Sequence, residues 1–115
     1  MRFKTERGLI DISSDVFAKI AAYAAANCFG VRELCNPGLA DSLLAVTKKT
    51  PTRRGVQVFF EDGAVRIVLR IAMASGVNMQ AVCRSIRSEV RYLVEKYTGV
   101  KVAGVRIYVE AVTAK

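Results

Sequence analysis

The sequence predicts an α+β domain: a small mixed sheet with two main helices packed on one face. The expected order is strand, helix, a segment readable as strand or connection, hairpin, long helix, strand. Three observations predict it. Apolar residues recur at helical spacing over residues 16–29 and again over 79–98. Asp62-Gly63 stands between two β-branched, apolar runs, a strong hairpin signal. Residues 104–112 alternate, with Val105, Ile107, Val109 and Ala111 set against Arg106, Tyr108, Glu110 and Val112. At 115 residues and 52% apolar, the chain is expected to form one domain over 1–115.

Residues 8–12 alternate briefly and read as a short strand. Ser13 or Ser14 then caps a helix, with Asp15 in the first turn favoured by the helix dipole. Its apolar stripe is Val16, Phe17, Ile20, Ala24 and Cys28, and six alanines from Ala18 to Ala26 permit close packing. Gly30 is the expected stop signal. Residues 31–35 suit a strand or a connection. Asn36-Pro37-Gly38 is a turn, and residues 39–48 suit a short second helix. Residues 50–55 are the most loop-like stretch.

In the hairpin, counting outward from Asp62-Gly63 pairs Phe60 with Val65, Val58 with Ile67 and Val56 with Leu69. Those six make one apolar face. The other face sets Phe59 against Arg66 and Gln57 against Val68, with Arg70 beyond. Asn78 caps the long helix 79–98, and Gly99 ends it. Its apolar stripe is Val82, Ile86, Val90, Leu93, Val94 and Tyr97. A second stripe, Arg84, Arg87 and Arg91, is wholly basic.

The chain has no His and no Trp. That removes the commonest general base, the Ser-His and Cys-His pairs, and zinc sites that need imidazole. Ser13, Ser14, Ser75, Ser85 and Ser88 therefore have no imidazole partner, and no Gly-rich phosphate loop occurs. Glu61-Asp62 falls in a turn, where Asp serves local conformation, and Asp11 and Asp15 flank a helix start. Cys28, Cys35 and Cys83 contain no C-x-x-C pair and are read as reduced packing thiols. No enzyme, metal site or cofactor is expected.

Eighteen Lys and Arg against ten Asp and Glu give a net charge of +8 and a pI near 9.8. Such basicity points to acidic partners or simply to solubility, and its distribution decides. Two surfaces stand out. The second sheet face carries Phe59, Arg66, Arg70, Arg106 and Tyr108, a mixture that suits a protein interface or the stacking of unpaired bases. A third reading is that residues 50–54 cover it. The basic helix stripe, Arg84, Arg87 and Arg91, suits phosphates, an acidic surface or plain solvent. Residues 1–7 lack the apolar core of a secretory signal, and the most lipid-like run, 20–26, is far short of the roughly 20 residues of a spanning helix.

Taken in order, several segments resemble the alkaline shock protein family of Gls-type envelope stress response proteins in Gram-positive bacteria. The resemblance begins at Gly8-Leu9-Ile10-Asp11-Ile12-Ser13-Ser14-Asp15-Val16 and continues through Ile20-Ala21 and Ala24-Ala25 to Gly30-Val31. It resumes at Gly55-Val56-Gln57-Val58, Glu61-Asp62-Gly63 and Gly76-Val77-Asn78, and closes with Val94-Glu95-Lys96-Tyr97-Thr98-Gly99-Val100 and the strand after Val105. Two departures are visible: Asn78-Met79-Gln80 lacks a Pro common in the family, and Glu33-Leu34 stands where Gly-Met is common. The resemblance implies a cytoplasmic, non-enzymatic protein of envelope homeostasis, clustered at the membrane in some members by an integral-membrane partner. The expectation is thus an interaction or scaffold module that self-associates or docks on an envelope-linked protein. A single-stranded RNA-binding module is the alternative.

Overall fold

The computed structural model describes residues 2–34, 52–53 and 55–113. The elements in chain order are β1 (Arg2–Thr5), β2 (Gly8–Asp11), α1 (Ser14–Ala26), β3 (Val31–Leu34), β4 (Thr52–Arg53), β5 (Val56–Glu61), β6 (Ala64–Ala74), α2 (Met79–Thr98) and β7 (Lys101–Thr113). The fold is α+β with a mixed sheet, as the pattern predicts. The expected helix at 39–48 and Cys35 lie outside the described residues.

The β5–β6 hairpin forms in the expected register: Val56 pairs with Leu69, Val58 with Ile67 and Phe60 with Val65. Its turn puts Asp62 at φ 44° and Gly63 at φ 80°. Both values lie in the left-handed region that a two-residue turn needs to match strand twist. Central in the five-stranded sheet is β6. Along one side it pairs in parallel with β7, from Ala64↔Lys101 to Ala74↔Thr113. On its other side β5 takes residues 64–69 and β3 takes 71–73, and β4 adds outside β5. The return from β6 through α2 to β7 is a parallel crossover, which needs a connection of about a dozen residues or more, supplied here by α2.

Both helices bury their apolar sides against one sheet face. Phe17, Ala18, Ala21, Ala24 and Ala25 of α1 meet Val82, Ile86, Val90 and Val94 of α2 above Val56, Val58, Val65, Ile67, Leu69, Ile71 and Met73. The alanines let the helix backbone approach closely, so α1 buries little side-chain bulk apart from Phe17. The Phe17 ring meets Phe60 edge-on, centroids 5.6 Å apart. Each helix start matches its cap: Ser13 Oγ accepts from Asp15 N–H at 3.0 Å, and Asn78 Oδ1 from Ala81 N–H at 3.1 Å. Gly99, at φ 73°, closes α2 in the left-handed conformation.

Several details differ from the sequence pattern. Helix α1 stops at Ala26, because Asn27 caps it and its side-chain amide donates to Tyr23 O at 2.7 Å. Gly30 instead serves the turn into β3, at φ 92°, where a Cβ would meet Val82 Cγ2 at 3.0 Å. Val16 and Tyr97 stay exposed, because the inner helix faces centre on the alanines and on Val82–Val94. The segment at 31–35 resolves as strand over Val31–Leu34. Strand β2 forms, but pairs with β1 in a separate two-stranded sheet. In β7 the register shifts between Val109 and Ala111, so Ala111 pairs with Ala72 and Val112 comes level with Met73. A bulge adds one residue and turns the next stretch of strand to the opposite face. Val112 therefore leaves the Arg106–Tyr108–Glu110 row.

Candidate interaction face

With both helices on one side, the other side of the sheet is exposed at Phe59, Arg66, Arg106 and Tyr108, while Val68 and Ala72 on that side are buried. The described part of the 50–54 segment, Thr52–Arg53, pairs along the β5 edge within the sheet. Phe59, Arg66, Arg70, Arg106 and Tyr108 all meet on this open side. Register explains why: Phe59 pairs with Arg66, Arg70 with Tyr108 and Val68 with Arg106. Together with Gln57, Phe60, Glu61 and Val68 they line a depression of about 430 Å³. Phe59 and Tyr108 are 40% and 39% exposed.

The charges here are largely matched. Arg66 Nη2 lies 3.1 Å from Glu61 Oε2, and Arg70 Nη1 lies 2.7 Å from Glu110 Oε1. The Arg70 guanidinium also sits 4.8 Å from the centroid of the Tyr108 ring, a stacked cation–π geometry. Arg106 Nη1 donates a long hydrogen bond, 3.4 Å, to the Tyr108 hydroxyl. Exposed pairs of this kind stabilise a fold by less than about 1 kcal/mol each. Their effect is on the character of the surface: three arginines meet two glutamates, and one face of Tyr108 is already occupied. Glu61 and Glu110 are members of the face that the sequence pattern did not single out. Strand parity could have found both, because 57, 59 and 61 share one side of β5, and 106, 108 and 110 one side of β7.

The basic stripe lies elsewhere. Arg84, Arg87 and Arg91 are exposed on α2, on the helix side of the sheet. Arg84 and Arg87 line a groove of about 320 Å³ between α2 and β7, with Met79, Gln80, Cys83, Val105 and Ile107. Cys28 and Cys83 are unpaired and half-buried. The Cys28 thiol donates to Ala24 O at 3.3 Å. Burial pushes its pKa above the ordinary thiol range, opposed by a hydrogen bond with Ser85 and reinforced by the nearby Glu89 carboxylate. Among the described residues no three acidic or thiol side chains converge as metal ligands would, and no helix is long and apolar enough to cross a membrane.

Fold and face together define a small α+β domain whose most distinctive surface is an aromatic, charge-matched sheet face. The chain belongs to the alkaline shock protein family, which has a cell envelope-related function; the family profile matches residues 2–114. It is 32% identical over 113 residues to the uncharacterized protein YloU of Bacillus subtilis strain 168, covering 97% of this chain and 94% of that one. It is 26% identical over 111 residues to the uncharacterized protein Spy1614 of Streptococcus pyogenes serotype M6, covering 96% and 92%. No solved structure matches.

Proposed function

We propose that this chain is a non-enzymatic interaction module of the cell envelope, acting inside the cytoplasm and working by burying its open sheet face against another protein chain. A second copy of itself is the first candidate, and an envelope-linked membrane protein is the other. One observation carries this reading: two of the three arginines of the face, Arg66 and Arg70, are paired with carboxylates of the same face. A nucleic-acid site leaves its cations free to replace counterions on phosphates. Here Glu61 and Glu110 would repel phosphate, and Arg70 occupies the Tyr108 ring face that a base would need. Aromatics with paired arginines suit a protein interface, where Tyr, Phe and Arg are enriched and charges must be matched on burial.

The alternative of single-stranded RNA binding rests on the +8 net charge, which the paired face does not concentrate. Sedimentation of the purified chain, with titration of mixed-sequence single-stranded RNA, separates the two readings. Self-association with RNA affinity that vanishes by about 0.15 M salt supports the interaction module. A monomer that holds RNA at micromolar strength at that salt overturns it.

A further inference from the structure

Among the described residues the outer edge of β7 is open. Among the described residues β7 pairs with β6 alone, whereas the opposite border of the sheet is partly covered by β4. Bulges blunt sheet edges by breaking the ladder. Here two of them, at Val102/Gly104 and at Val109/Ala111, frame a stretch that is regular between them. Residues 104–109 keep unbroken register with Arg66 through Ile71. That stretch presents backbone donors and acceptors at strand spacing.

Beside this edge runs the groove between α2 and β7. Val105 and Ile107, both from the regular stretch, are half-buried within it, and Met79 and Cys83 add apolar surface from α2. Arg84 and Arg87 stand along it, with Arg91 one turn further on. Among the described residues none of the three has an ion pair, in contrast to Arg66 and Arg70 on the opposite face. Backbone edge, apolar floor and free cations lie together.

We propose that the β7 edge and this groove form a second docking surface, which takes an extended acidic segment of a partner protein by strand addition. The segment's backbone pairs with residues 104–109. On its helix side, apolar side chains enter the groove beside Met79, Cys83 and Ile107, and carboxylates meet Arg84 and Arg87. Strand addition works in this way generally: backbone pairing supplies affinity, and alternate side chains supply specificity. A second copy joined edge to edge fits poorly. The β7 residues sharing the helix side, Val102, Val105, Ile107 and Val109, include no acid, and Glu110 is engaged by Arg70 on the other face. Two copies joined there would bring their basic α2 stripes together, and like-charge juxtaposition disfavours a complex. This surface is independent of the open-face reading.

The test is fluorescence anisotropy with the full chain and a short fluorescein-labelled peptide. One face of the peptide strand carries valine and glutamate in turn, and the other carries threonine. The expected result is saturable binding, weakened about tenfold or more when lysine replaces glutamate. Arg84→Glu with Arg87→Glu should weaken the acidic peptide to a similar degree and improve the lysine version, with the helical circular dichroism unchanged. N-methylation of alternate peptide amides, which leaves the protein untouched, should abolish binding. Phe59→Ala, on the open face and outside residues 104–109, should leave it intact. Equal binding of the glutamate and lysine peptides would overturn the proposal, as would indifference to N-methylation. So would a dimer through β7 that excludes the peptide, or displacement of the peptide by equimolar single-stranded RNA at about 0.15 M salt.

Discussion

Arg70 decides the character of the open face, because one guanidinium is held both by Glu110 at 2.7 Å and above the Tyr108 ring at 4.8 Å. Removing the carboxylates should reverse that character. Glu61→Gln with Glu110→Gln frees Arg66 and Arg70, so single-stranded RNA affinity at low salt should rise several-fold, with a steeper salt dependence by about one to two released ions. Unchanged affinity in a salt titration would show that the pairs do not govern the surface. Cys28 offers a second residue-scale test. Its raised pKa means less thiolate at any given pH, so in a chain with Cys35→Ser and Cys83→Ser the pH midpoint of its alkylation should lie above that of a cysteine in an unstructured peptide. A midpoint at or below that value would contradict the burial argument. Gly30 is a third case. Its φ of 92° and the 3.0 Å approach of Val82 Cγ2 predict that Gly30→Ala costs about 1–3 kcal/mol in urea unfolding. Gly99→Ala, at φ 73° with nothing near its Cβ, should cost less.

At the scale of elements, α1 packs through alanines, and that closeness fixes what it tolerates. Ala21 is fully buried in the core that α1 shares with α2 and the sheet. Ala21→Leu should therefore overpack it and destabilise by about 1–3 kcal/mol, read from the urea midpoint at constant slope. The elements with strong local signals are legible in the sequence. Asp62-Gly63 determines the hairpin register to the residue, and Asn78 with Gly99 determines both ends of α2, because each signal has one dominant conformational outcome. Weaker signals mislead for physical reasons. Strand β1 escapes the pattern because Arg2 and Lys4 break up its apolar content. The end of α1 reads as Gly30 because glycine outweighs asparagine as a stop signal, although Asn27 has the side chain to cap. Bulges in β7 are invisible, since an extra residue leaves no compositional trace. Candidate site residues divide similarly: the five expected on the open face all reach it, while Glu61 and Glu110 escape notice because one reads as a turn residue and the other as part of an alternation.

At the scale of the molecule, one-sided packing explains the rest. Among the described residues two helices cover one sheet face, none covers the other, and the parallel return through α2 leaves β7 at a border. A family with a cell envelope-related function thus rests, in this chain, on a scaffold with its charge divided between a matched sheet face and an unmatched helix stripe. The central claim is that the open face is where another protein chain sits. Large aromatics at the centre of such an interface typically contribute about 2 kcal/mol or more each on truncation. The most direct measurement is sedimentation velocity of the wild type beside the Phe59→Ala/Tyr108→Ala variant, with circular dichroism recorded on both. The wild type should self-associate, and the variant should sediment as a monomer with its helical signal unchanged. An equally large assembly formed by the variant would contradict the claim.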